Sequence, residues 1–205
     1  MPRYNSYGHT QFDMAAAEIL LLYFAVPLWF IAGFADWLCH RHAHLQETSG
    51  PFESFLHLLM FGEGGLALLI CLFCEINALV FLLLIAIFLT HEATALWDVK
   101  YATEHREVTY WEQHVHSFLE VIPLLALTLL ASLHWTQVRA LFTLSSEASW
   151  SLQWKTKPLP LSFVICVLAA AVCLELLPYV QELWQGIRIR QLQATPRTPS
   201  SIRDG

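Results

Sequence analysis

The sequence predicts an all-α integral membrane protein with about five transmembrane helices, the first four forming a bundle around a polar site at one membrane face. Three observations carry that expectation. The 205 residues are 56% hydrophobic and only 14% charged, whereas soluble domains carry about 25% charged residues. The charges are concentrated in the gaps between apolar blocks of about 20 residues, the length that crosses a ~30 Å hydrocarbon core. Carboxylates and imidazoles recur at helical spacing at the ends of these blocks.

The blocks follow in order. Met14 to Leu38 forms the first span, and Pro27 within it predicts a kink. Gly33-Phe34-Ala35 resembles a signal-peptide cleavage site, but a dozen polar residues and no basic region precede the block, so a membrane span is the expectation. After a polar loop, Thr48-Ser49-Gly50-Pro51 reads as a helix start, and the second span runs from Phe52 to Cys74. Glu75-Ile76-Asn77 leaves room only for a tight turn before the third span, Ala78 to Trp97. A charged segment from Asp98 to Tyr110 leads into a fourth span that ends near Leu133 and contains Pro123. His134 to Pro160 is polar and Trp-bearing, as at a membrane interface. Leu161 to Val180 is the fifth span, apolar apart from Glu175. Residues 1–184 therefore read as one transmembrane domain and 185–205 as a polar tail. Five cysteines lie in or beside apolar runs and read as small hydrophobes rather than disulfide partners.

Alternating the spans across a bilayer brings polar groups from four helices to one face. The first span ends with Asp36 and His40, the second begins with Glu53 and His57, the third ends with His91 and Asp98, and the fourth begins with Glu112 and His116. Three of these pairs are i,i+4 and one is i,i+7, so each helix presents one carboxylate and one imidazole on one face. Ionisable groups at membrane depth need partners. Neutral imidazole and ionised carboxylate are ligands of iron, zinc and manganese, and facing helices of a bundle assemble such ligands.

Each pair also has a plainer explanation. Thr109 and Glu112 fit a capping box, Glu53 suits the dipole of a first turn, and Asp36 with His40 could be interfacial. Four such coincidences at one depth favour a metal site with His40, Glu53, His57, His91, Asp98, Glu112 and His116 as ligands, and with Asp36 and Glu120 as catalytic acids. His42, His44, His105 and His114 are weaker candidates; His9 and His134 read as surface groups. Glu18 and Glu63 could line a cavity, and Gly62, Gly64 and Gly65 suit close helix packing.

The four carboxylates and four imidazoles of these pairs, Asp36 included, make eight possible ligands, too many for one zinc ion and suited to two metal ions. Soluble di-iron bundles use four carboxylates and two histidines with Glu-x-x-His at i,i+3, whereas this chain is richer in histidine and uses i,i+4. In layout it resembles the integral-membrane di-iron hydroxylases and desaturases, which surround two irons with histidines at the cytoplasmic ends of membrane helices. The repeated His-x-x-His-His boxes of those enzymes are absent; His40-Arg41-His42-Ala43-His44 and His114-Val115-His116 are the nearest counterparts. The resemblance implies an oxidoreductase with two metal ions, iron foremost, that uses O2 to hydroxylate or desaturate an apolar or lipid-like substrate entering from the bilayer. It also implies an external electron donor protein.

Three alternatives stay open at this point: a zinc-dependent membrane hydrolase, a b-type haem cytochrome, and a non-enzymatic metal carrier or structural subunit. A net charge of -6 without a basic patch points away from nucleic acid. Arg41, Lys100, Arg106, Arg188, Arg190, Arg197 and Arg203 fall on the cluster side, against Arg3, Arg139, Lys155 and Lys157 opposite. That excess predicts a cytoplasmic metal site, in a bacterial inner membrane.

Overall fold

The computed structural model describes residues 16–45 and 47–194, and all regular structure among them is helical. Five helices are long and apolar enough to cross a membrane: α1 (Ala16–His42), α2 (Pro51–Phe73), α3 (Ala78–His105), α4 (Tyr110–Leu133) and α6 (Leu161–Ala194). A short helix, α5 (Trp135–Thr143), lies between the last two. Met14, Arg3, His9, Arg197 and Arg203, on which parts of the sequence reading rest, lie outside the described residues.

Helix starts follow local chemistry. Gly50 takes a positive φ of 77° so that Pro51 can open α2 with its ring in the first turn. Asn77 and Thr109 cap α3 and α4 by accepting from the backbone N–H groups of Val80 (3.1 Å) and Glu112 (3.3 Å). The capping box at Thr109 is half made, because the Glu112 carboxylate turns to Arg106 instead of back to the cap. Two prolines explain the irregular turns in α1 and α6. Pro27 and Pro178 cannot donate to Tyr23 and Leu174, four residues earlier, and each of those acceptors lies in a wide π-helical turn, Leu21–Ala25 or Ala171–Leu176. The wide turn absorbs the missing hydrogen bond without ending the helix.

Two helices run further than expected. α3 continues through the charged segment to His105, past the expected end of the span at Trp97 and Asp98. α6 continues past Val180 to Ala194, so the stretch read as the start of a polar tail is helical.

The helices pack in the cyclic order α1, α4, α3, α2, α6, with α6 closing the ring between α2 and α1. The expected four-helix enclosure is therefore corrected: the fifth span is part of the wall. Beyond α5, the chain straps the α2–α3 turn, with Lys155 N–H donating to Phe73 O (2.8 Å) and Glu75 N–H to Gln153 O (2.9 Å). Glu75 accepts from the Thr156 N–H and hydroxyl, both at 2.8 Å, and these bonds hold its pKa below the ordinary carboxylate value. One apolar core, around Val80, Phe81, Leu84 and Leu130, lies at that end, and a second, around Phe30, Leu72 and Val167, lies where α1, α2 and α6 meet. Large apolar side chains such as Ile31, Leu89 and Leu96 point outward, as helices facing lipid require. All five cysteines are free; Cys74 is buried, but Cys166 and Cys173 are exposed on the outside of α6 rather than in the core.

Glycine marks one close approach. A Cβ on Gly33 would collide with the Glu175 carboxylate, and Tyr179 donates to Gly33 O at 3.1 Å. Trp29 covers Gly64 in the same manner, whereas Gly62 and Gly65 face open space. Gly33→Leu is expected to destabilise the fold by about 1–3 kcal/mol through overpacking, while Gly65→Ala leaves it unchanged or firmer by up to ~1 kcal/mol. Thermal unfolding in one detergent would compare them, and equal melting temperatures would refute the close approach.

Candidate metal centre

The polar residues that the sequence places at one end of the bundle meet there. Asp36, His40, Glu53, His57, Asp98 and Glu112 are each at most 3% exposed, and the His116 side chain is 14% exposed. Helix α6 adds two members that the sequence reading missed, Tyr179 and Glu182, buried to 5% and 1%.

Glu182 stands behind two imidazoles. The His40 and His57 rings stack 4.2 Å apart at 12°, and both turn Nδ1 toward it: His40 Nδ1 lies 3.4 Å from Oε2 and His57 Nδ1 3.6 Å from Oε1. Ser54 donates to the same Oε1 at 2.9 Å. A carboxylate facing Nδ1 favours a proton on that nitrogen, the tautomer that leaves Nε2 as a lone-pair donor.

The two Nε2 atoms face separate groups of acids. His40 Nε2 lies 3.3 Å from Asp36 Oδ2, and His116 Nε2 lies 2.9 Å from Asp36 Oδ1. Tyr179 donates to Asp36 Oδ2 at 3.3 Å. His57 Nε2 lies 3.2 Å from Asp98 Oδ2. Asp36, His40 and His116 form one group whose nearest ligand atoms all lie within 4.8 Å, and Glu53, His57 and Asp98 form another that shares no member with it. His40, Glu53 and Glu112 form a third group between them. Two ligands held ~2.0–2.2 Å from one ion are about 3–3.5 Å apart, which is the spacing of these pairs.

Arg106, on the loop after α3, forks the two remaining acids. Its Nε is 3.1 Å from Glu53 Oε1 and its Nη1 3.0 Å from Glu112 Oε2, while Nη2 bridges both carboxylates. Burial alone would push the guanidinium pKa down, but the hydrogen bonds to Glu112 and Glu53 outweigh it and raise it above its ordinary value. Five buried carboxylates (Asp36, Glu53, Asp98, Glu112, Glu182) thus face one guanidinium, leaving four formal negative charges for imidazolium protons or bound cations to balance. Several buried atoms here, among them both His40 nitrogens, His57 Nδ1, Asp98 Oδ1 and Glu182 Oε2, have neighbours at these distances without hydrogen-bond geometry. Unsatisfied donors and acceptors in such number are rare in a folded interior.

The other sequence candidates fall elsewhere. His91 belongs to none of these groups; its Nδ1 is 3.5 Å from Glu63 Oε2, and Thr94 donates to Glu63 Oε1 at 2.9 Å. Asp98 lies two turns, about 10 Å, along the same face, so one face serves two depths. Glu120 is exposed, yet with His91, Asp36, His57, Asp98 and His116 it lines a cavity of about 60 Å³ beside the cluster. His42, His44, His105 and His114 are exposed, and His105 bonds the Tyr101 carbonyl at 2.8 Å.

Glu182 had a readable signal, since Glu175, Tyr179 and Glu182 follow at i, i+4 and i+7 on one helical face, although Pro178 between them reads as a kink or stop. Arg106 had none, because a basic residue in a charged loop reads as solvated. Comparison with known proteins finds no matching family model, no matching curated protein and no matching solved structure, so the functional reading rests on the chemistry of this cluster.

Proposed function

We propose that the cluster binds two metal ions, iron foremost, and that the protein is a membrane oxygenase acting on an apolar or lipid-like substrate. The observation that carries this reading is the pair of ligand groups without a shared member, Asp36–His40–His116 and Glu53–His57–Asp98, within a buried site holding four formal negative charges beyond the one that Arg106 balances. Two divalent ions would balance that charge. Two histidines and one carboxylate in the first group are the donor set of non-haem iron oxygenases. Bound iron would supply the activation of O2.

The protein's own residues would hold and shield the site. Glu182, itself held by Ser54, faces the two imidazoles, Tyr179 holds Asp36, and Arg106 holds Glu53 and Glu112 in place. His91 and Trp29 line both the small cavity beside the cluster and a second, mostly apolar cavity of about 420 Å³ between the helices. That continuity supports a substrate that enters from the bilayer. In hydroxylation, one atom of O2 enters a C–H bond and the other leaves as water, with two electrons and two protons supplied from outside; in desaturation, two hydrogens leave the chain and, with the same two electrons and two protons from outside, both oxygen atoms become water. An external donor protein would supply the electrons at the cluster face, which the excess of basic residues in the sequence favours as the cytoplasmic one.

A second reading has its own support. His40, His57 and Glu182 are the two-imidazole, one-carboxylate set of zinc hydrolases, in which the ion lowers the pKa of bound water. The haem alternative gains no such support, since the rings of His40 and His57 stack on one another and the adjoining cavity is about 60 Å³. Elemental analysis and the visible spectrum of the purified protein test the proposal. About two irons per chain without a Soret band, and O2 uptake with a reductant and a fatty acyl substrate, is the expected result. Zinc alone would move the assignment to hydrolysis, and absence of any metal would overturn it.

A further inference from the structure

The larger cavity is apolar along its length but not at its ends. It runs between the helices from Trp29 and His91, beside the cluster, to Glu18, His134, Lys155 and Lys157 at the opposite face of the bundle. The strap that crosses the α2–α3 turn puts the two lysines there, anchored by the Lys155 N–H on Phe73 O at 2.8 Å. Neither ammonium forms an ion pair among the described residues. Glu18 and the nearby Glu75 set two negative charges against the two positive ones, and the Glu75 Oε1 is already engaged by Thr156 rather than by an ammonium. Burial and the Lys155 charge push the His134 pKa below its ordinary value. The two lysine ammonium groups are the groups at this mouth that can receive an anionic head.

The distance along the cavity follows from the helix rise. Glu18 to Trp29 on α1 spans 11 residues, or about 17 Å, close to the ~15 Å of one leaflet of a ~30 Å hydrocarbon core, which a single acyl chain fills.

We propose that this cavity binds a single-chain fatty acid, its carboxylate held by Lys155 and Lys157 and its chain end directed past Trp29 to His91 and the metal cluster. The proposal names the substrate class of the oxygenase reading and rests on it for the chemistry at the chain end; the binding stands on the cavity alone. A head anchored at the far face presents the part of the chain most distant from the carboxylate to the cluster.

The test is equilibrium binding of radiolabelled hexadecanoate, hexadecanol and hexadecyl phosphate to the full chain in neutral-lipid nanodiscs, with metal content recorded on the same sample. Hexadecanoate should bind about tenfold or more tightly than hexadecanol, two nearby lysines contributing about 1 kcal/mol each. The double variant Lys155→Glu/Lys157→Glu should erase that preference and leave hexadecanol binding unchanged, which also reports an intact cavity. Lys155→Gln/Lys157→Gln should fall between them. Equal affinity for acid and alcohol, or an unaltered preference in the double variant, would overturn the anchored head, and a preference for hexadecyl phosphate would overturn the carboxylate. Metal loading without fatty acid binding would leave the oxygenase reading standing alone, whereas binding by a chain that loads no metal would separate the two in the opposite sense.

Discussion

His40→Ala is expected to lose one of two bound metal ions per chain while the five spans stay inserted. His40 supplies Nε2 to the Asp36–His40–His116 group and faces Glu182 through Nδ1, whereas Glu53, His57 and Asp98 form the other group without it. His57→Ala should lose the other ion, and His40→Ala/His57→Ala both. Losing one ligand of three removes a large share of the binding free energy, so the loss should read as absence after dialysis rather than a small drop. His91→Ala is the contrast: its ring pairs with Glu63 outside these groups, so both ions should remain while turnover of an apolar substrate falls. Elemental analysis of the variants after gel filtration decides the matter. Full occupancy in His40→Ala would exclude the group it belongs to, and metal loss in His91→Ala would return that residue to the ligand set.

Arg106→Ala should be the most destabilising single change at the site, costing about 3–5 kcal/mol, because it strands Glu53 and Glu112 as buried, uncompensated carboxylates. The Arg106 side chain is 3% exposed and neither acid is exposed at all, so water offers little compensation. Arg106→Lys keeps the charge but loses the planar fork that reaches both acids, and should recover only part of the stability. Glu53→Gln/Glu112→Gln in the Arg106→Ala background should restore stability by removing the stranded charge. Thermal unfolding in detergent, at matched metal content, measures all three, and an unchanged melting temperature in Arg106→Ala would show that the guanidinium does not neutralise these acids. A rise in bound metal in that variant would instead show that a cation takes the place of the guanidinium, which the His40–Glu53–Glu112 group permits.

These outcomes separate what each level of organisation decides. The amino-acid sequence by itself determined the number of long apolar helices and the end of the bundle where acids and imidazoles gather, because span length is set by hydrocarbon thickness and side-chain spacing by the helical repeat. It showed that Asp36 and His40, Glu53 and His57, and Glu112 and His116 share faces, and the structure brings all six together. Only the tertiary structure decided which of them meet. Helical periodicity fixes the face a residue occupies on its own helix, but neither the depth at which that face meets a neighbour nor the order in which helices pack around a ring. His91 and Asp98 share a face yet meet Glu63 and His57 at different depths. Glu182 reaches both imidazoles because α6 enters between α1 and α2, and Arg106 folds back from a charged loop onto two buried acids. Their partners are far away in sequence or hidden in a segment that reads as solvated, so burial and charge compensation, which are properties of the packed bundle, selected them.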